Sequence, residues 1–266
     1  RGPQDLAHPQ IVFYYDIACP YVYLAVPQLL ALADRAGAVI DWRPVSLEEL
    51  LRGAAEVPPI LGGVVQDPLP RPLSDRQAMA RTDVLRLADR LGLPPPKLRE
   101  TADGSTCAQR LLCWAPPVVR SALTRAFLSA YHLEGQDLDD PEVVLSLATG
   151  VGLDERSARA AVLEGGLRAE LTLERATRDA ARLGVFGVPS FLVDTTSGTR
   201  LFFGQDRLPF VEDALRHHPL AADAPAQTAP PAGLALSDVP ANEGRRVTFY
   251  YDFSSPFSFL ASTQIE

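Results

Sequence analysis

The sequence predicts a mixed α/β fold interrupted by a large all-helical insertion, and three observations carry that expectation. Residues 11–45 read as strand, helix, strand. Residues 46–183 carry helical periodicity broken by Pro-rich stretches at 58–59, 68–72, 94–96 and 116–117. Residues 187–218 read as two strands and a closing helix.

Each element follows from its residues. IVFYYD (11–16) is a short apolar run of β-branched and aromatic residues, the pattern of a buried strand. Pro20 then stands where the first turn of a helix tolerates a missing amide. The amphipathic run that follows ends near Gly37, and Pro27 should kink it. AVIDWRPV (38–45) is a second strand. Within the insertion, 74–92, 116–135, 140–150, 154–166 and 167–184 read as helices. GVPSFLVD (187–194) and TRLFFG (199–204) flank the turn TTSG and read as a hairpin, followed by a helix over 206–218. The order is β-α-β, a helical insertion (about 46–168), then α-β-β-α. That is the thioredoxin order. A Rossmann fold would need a GxGxxG after a strand, and none is present.

Composition narrows the function. The 266 residues are 47% hydrophobic and 22% charged, a globular balance with ample core material. The net charge is −8, from 33 acidic and 25 basic residues, which argues against a nucleic-acid partner that needs a cationic face. Three cysteines in a chain this long do not suit a disulfide-stapled secreted scaffold, and neither CxxC nor zinc-ligand spacing occurs. No signal-like segment and no run of about 18 apolar residues is visible, so the expectation is a cytoplasmic protein without a membrane partner.

A long-period repeat organises the chain. FYYDIACPYVYLA (13–25) returns as FYYDFSSPFSFLA (249–261) at a constant offset of 236. A period that long repeats whole domains, not solenoid units. Residues 1–218 are therefore expected to form one domain. The Ala/Pro-rich stretch 219–245 is a linker, and 246–266 is the start of a second, truncated copy.

The chemistry is expected at the first strand-to-helix turn. Cys19 falls at a helix N-terminus, where the helix dipole and free amides should lower a thiol pKa. The competing reading is a small buried Cys on a packed turn. The second copy carries Ser255 at this position, which shares size and a hydrogen-bonding group but cannot form a disulfide. Val188-Pro189 opens a strand, either as a cis-Pro beside the helix or as an ordinary loop end. Gln205 and Asp206 precede the closing helix, where Asp206 can cap the helix, present a polar group to a ligand, or both. Tyr21, following Pro20, is the aromatic expected to face a ligand. Cys107 and Cys113 are expected to be structural, and no histidine is assigned a role.

The motifs also carry a resemblance. FYYDIACPYVYLA, RPV (43–45), DVLRLADRLGLP (83–94), AFLSAYHLEGQDLDDPEVV (126–144), GVFGVPSFLVD (184–194) and FGQDRLPFVEDAL (203–215) occur in the order of the 2-hydroxychromene-2-carboxylate isomerase family. That family is close to kappa-class glutathione transferases and DsbA-like oxidoreductases. The resemblance implies a DsbA/kappa-type thioredoxin-like fold, glutathione as cofactor, and a small aromatic substrate. It also implies a homodimer, or an intramolecular pseudo-dimer with the second copy.

By position, the family's thiol-contacting Ser falls on Cys19, and on Ser255 in the second copy. Val188, before the cis-Pro189, implies backbone bonds to the cysteinyl part; Gln205 and Asp206 imply a hold on the γ-glutamyl end. Pro20 and Tyr21 are expected to border the substrate. Two departures stand out: a family Asn after strand two falls near Glu56, and Val22 occupies the second Cys position of Cys-Pro-x-Cys relatives. Three readings result. The first is a glutathione-dependent isomerase or transferase, which the surviving motifs favour. The others are a monothiol oxidoreductase using Cys19 and a non-catalytic thioredoxin-like module.

Overall fold

A computed structural model of the chain describes residues 8–54, 73–99, 104–164 and 166–220. The chain divides into two compact units, Arg1–Thr228 and Ala229–Glu266. The second repeat, Ser255 and Glu56 lie outside the described residues, as does the 219–245 linker beyond its first two residues. Among the described residues no helix is long and apolar enough to cross a membrane.

The sheet has four strands in the order β2-β1-β3-β4. Strand β1 (Gln10–Tyr15) pairs parallel with β2 (Val39–Pro44) and antiparallel with β3 (Ser190–Thr195), which pairs antiparallel with β4 (Gly198–Phe203). This is the expected thioredoxin-like α/β fold with its all-helical insertion. A central strand is covered on both faces, which is why β1 reads as continuous apolar sequence and not as alternation. Ile11, Phe13 and Tyr15 are all fully buried. The Phe13 ring stacks on Tyr15 at 5.1 Å and on Phe191 at 5.3 Å, with Trp42 edge-on at 5.4 Å.

Helix α1 (Pro20–Ala36) begins at Pro20 and stops at Gly37, whose φ of 59° is the left-handed conformation a C-terminal cap requires. Pro27 lies inside α1, which continues past it to Ala36. Proline deletes one amide bond, at a cost of about 3 kcal/mol. Burial of Leu24, Val26, Leu29 and Leu32, each contributing about 1.5–3 kcal/mol, outweighs that loss.

The insertion comprises α2 (Leu47–Ala54), α3 (Leu73–Arg90), α4 (Thr106–Trp114), α5 (Pro117–Ser129), α6 (Pro141–Gly150) and α7 (Glu155–Arg159), and α8 (Gly166–Arg182) follows it. Two helical stretches read from the sequence as single helices instead finish in π turns, at Ala130–Glu134 and Ala160–Glu164. A short 3-10 turn, Gln205–Arg207, leads into α9 (Leu208–Arg216).

Polar side chains fasten the insertion to the sheet. The Tyr15 and Thr124 hydroxyls meet at 2.7 Å, and Arg120 donates to the Trp42 carbonyl at 2.9 Å. The Ser46 amide donates to the Thr177 hydroxyl of α8 at 2.9 Å.

Candidate functional site

The site is built around the turn from β1 to α1. Cys19 is the N-cap of α1, with extended backbone (φ −80°, ψ 115°). Its thiol donates to the Val188 carbonyl at 3.5 Å, across 169 residues of sequence. The Val188-Pro189 peptide is cis. The fold thus brings together the two sequence positions expected to carry the chemistry.

The thiol's acidity is opposite to the expectation. Cys19 is buried, and burial pushes its pKa up to about 12, although the Val22 and Tyr21 amides pull it down. The helix N-terminus does favour the thiolate as the sequence implied. Loss of hydration disfavours it more, because ionisation would place a charge in a dry site. Cys19 is therefore a neutral S–H donor at physiological pH.

The turn itself is held at every step. The Asp16 carboxylate accepts from the Ala18 amide at 3.0 Å, the Leu47 amide at 2.8 Å and the Ser105 hydroxyl at 3.4 Å. Burial nevertheless raises its pKa above the usual carboxylate range. Gln109 of α4 donates to the carbonyls of Tyr15 (3.0 Å) and Val45 (2.7 Å) and accepts from the Ile17 amide at 3.4 Å. His132 contacts the Ile17 carbonyl at 2.8 Å through Nε2. Sequence reading assigned none of Ser105, Gln109 and His132 to the site. Ser105 precedes α4, Gln109 lies within it and His132 sits in the π turn after α5, and no local signal marks any of them.

The remaining expected residues surround this centre. Gly204 donates to the Pro189 carbonyl at 2.9 Å, which places Gln205 beside the Val188-Pro189 turn. Gln205 is buried, and its Oε1 accepts from Gln28 of α1 at 3.2 Å. Asp206 does not cap α9: the cap position is Arg207. Asp206 is exposed and pairs with the Arg207 guanidinium at 3.5 Å. Pro20 and Tyr21 are half-buried on the first turn of α1, and burial with the nearby Asp83 carboxylate raises the Tyr21 phenol pKa. Cys107 and Cys113 are only partly buried, and Cys113 donates to the Pro44 carbonyl at 3.7 Å. On the insertion side of the turn, a cavity of about 380 Å³ is bordered by Asp16, Ala18, Glu48, Leu51, Ser105 and Leu173, among others.

Gly204 has a φ of 104°, and an added Cβ would lie 2.5 Å from Asp206 Oδ1. The carboxylate can swing away; the backbone cannot. Gly204→Ala is expected to lower stability by about 1–3 kcal/mol, measured as a lowered urea midpoint with unchanged slope.

Comparison with known proteins gives the same fold. The chain is 28% identical over 205 residues to a 2-hydroxychromene-2-carboxylate isomerase of Sphingobium xenophagum, covering 77% of this chain and 97% of that protein. A crystal structure of 2-hydroxychromene-2-carboxylate isomerase superposes with a TM-score of 0.62 at 22% identity, covering 77% of this chain and 94% of that one. The cytosolic disulfide reductase DsbM of Pseudomonas aeruginosa superposes with a TM-score of 0.52 at 22% identity, over 78% and 98% of the two chains. The family model for the DSBA-like thioredoxin domain matches residues 10–216, the whole span from β1 to the end of α9, and the chain belongs to that family.

Proposed function

We propose that this protein is a glutathione-dependent isomerase or transferase of the 2-hydroxychromene-2-carboxylate isomerase type, acting on a small aromatic-derived electrophile. The observation that carries the reading is the neutral Cys19 thiol at the head of α1, facing the Val188 carbonyl at 3.5 Å. A protonated donor at that point suits a group that orients and stabilises another sulfur. It does not suit an attacking thiolate. Val22, in place of a second Cys, leaves no resolving thiol in the motif.

The residues present fit glutathione. Val188, two residues before β3, offers a peptide edge with which another peptide backbone can pair. Gln205, beside that edge, and the exposed Asp206 offer polar groups for the γ-glutamyl end. DsbM, which shares the fold, has been solved with GSH (TM-score 0.50). When bound, glutathione supplies the thiol nucleophile for an electrophilic carbon. Cys19 keeps its proton on Sγ and donates a hydrogen bond, while Pro20 and Tyr21 border the reacting centre. The second substrate is assigned to the cavity beside Ala18.

Calorimetric titration with reduced glutathione tests the reading. Saturable binding by the unaltered chain is expected; no saturation at millimolar ligand would overturn it. We further propose that 246–266 opens a second domain of the same kind, tethered by 219–245. The 236-residue repeat supports that organisation and a pairing of the two copies within one chain, which light scattering would check.

A further inference from the structure

We propose that His132 is a positioning residue for Cys19, reaching from the helical insertion to fix the turn on which the thiol stands. Its role in turnover rests on the glutathione reading above; its role in holding the thiol does not.

The backbone of Asp16-Ile17-Ala18-Cys19 has one tie at each step. The Asp16 carbonyl accepts from Cys19 N–H at 3.2 Å, and the Cys19 carbonyl accepts from Val22 N–H at 3.0 Å. Asp16 Oδ1 takes the Ala18 amide at 3.0 Å. Ile17 is the exception, because both of its peptide groups are held by side chains of the insertion. Gln109 takes its N–H at 3.4 Å, a long contact, and His132 takes its carbonyl at 2.8 Å, a short one. The carbonyl bond is the stronger tie. It lies two residues before Cys19.

The chemistry of the ring follows from that bond. A carbonyl can only accept, so Nε2 carries the proton and the neutral ring leaves Nδ1 as a bare acceptor. Nδ1 is buried and has no hydrogen-bond partner among the described residues. A phenylalanine would pack between Tyr23 and Tyr131, whose rings lie 5.4 Å and 4.9 Å from the imidazole, without an orphaned nitrogen. What histidine adds is the Nε2 donor, which offsets the unsatisfied Nδ1. The local backbone is arranged to deliver it. The π turn Ala130–Glu134 turns three consecutive residues, Ala130, Tyr131 and His132, inward together. Irregular turns of this kind recur at functional sites.

The test compares His132→Phe, which keeps the ring and removes the donor, with His132→Gln, which restores a donor near the Nε2 position. Alkylation of Cys19, Cys107 and Cys113 by iodoacetamide is followed in one digest by peptide mass spectrometry. His132→Phe is expected to speed modification of Cys19 at least tenfold while Cys107 and Cys113 stay within twofold of the parent. His132→Gln is expected to return Cys19 to within about threefold. An unchanged Cys19 rate in His132→Phe, or equal acceleration of all three thiols, would overturn the proposal, the latter by showing general loosening.

If the variants do not fold, the unaltered protein still decides. At pH 7 its His132 nitrogen resonances are expected to show Nε2 protonated and Nδ1 bare, and the reverse tautomer or a charged ring would refute the clamp. Failure of the glutathione titration with a positive alkylation result would remove the catalytic reading and leave the positioning role standing.

Discussion

Cys19→Ser is expected to bind reduced glutathione within about threefold of the parent, whereas Cys19→Ala weakens binding at least tenfold. The asymmetry follows from the neutral thiol. Serine places a single O–H donor where the S–H stood, able to turn from the Val188 carbonyl to an incoming sulfur as the thiol would. Alanine removes the donor. A hydrogen bond to a charged sulfur contributes roughly 1.5–3 kcal/mol, or about one to two decades of affinity. Calorimetry of the three proteins measures it. Oxidised glutathione separates the monothiol redox reading: the Cys19 thiolate would displace one glutathione thiol from that disulfide and form a mixed disulfide, which a serine hydroxyl cannot do. Parallel loss of reduced-glutathione binding in Cys19→Ser and Cys19→Ala would sink the donor role, and glutathionylation of the parent by oxidised glutathione would favour the redox alternative.

Acidification is expected to destabilise the parent more than His132→Phe, by about 3 kcal/mol across the full window. Burial holds His132 at a pKa of about 4, against an ordinary 6.5, and the Arg99 charge adds to the depression. The unfolded chain takes up this proton near pH 6.5, the folded chain only near 4. Between those values the unfolded state binds more protons, so stability falls as pH falls. Above 6.5 the contribution is flat, and below 4 no more is lost. At about 1.4 kcal/mol per pH unit the window accounts for the figure. Asp16 acts in the other sense, because its raised pKa makes the folded state the better proton binder. It is present in both proteins and largely cancels in the comparison. Urea midpoints at pH 7 and pH 4.5 for parent and variant check the result; parallel shifts would show that His132 does not carry the acid sensitivity.

The sequence made some features legible because they are local or follow from element order. The apolar β1 run, Pro20 at the helix start, Gly37 at its end and the TTSG hairpin all appear where expected. Cys19 and Val188 could be paired in advance because the thioredoxin order puts their two turns side by side. The sign of the Cys19 shift was not legible, although its local half was. The helix amides do act on the thiol, but burial by distant segments outweighs them. His132 and Gln109 were invisible for the same reason: they meet Ile17 from 115 and 92 residues away. Periodicity shows which side of a helix is apolar, not which single polar residue on it reaches a loop. Nor does it reveal that a helix ends in a π turn, as α5 does. Asp206 met the sequence preference for a helix cap, but the intervening 3-10 turn shifted the cap to Arg207.

The distance in sequence between Cys19 and its Val188 partner also sets a schedule for synthesis. The thiol leaves the ribosome 169 residues before the carbonyl that receives it. At about 5–20 residues per second, that interval is on the order of ten to thirty seconds. During it β1 has no β3 to pair with, and the thiol that ends as a dry, weakly acidic donor has the ordinary acidity of an exposed cysteine. Until the β3–β4 hairpin is complete the thiol lacks the Val188 carbonyl that receives it, so its folded surroundings are among the last to assemble.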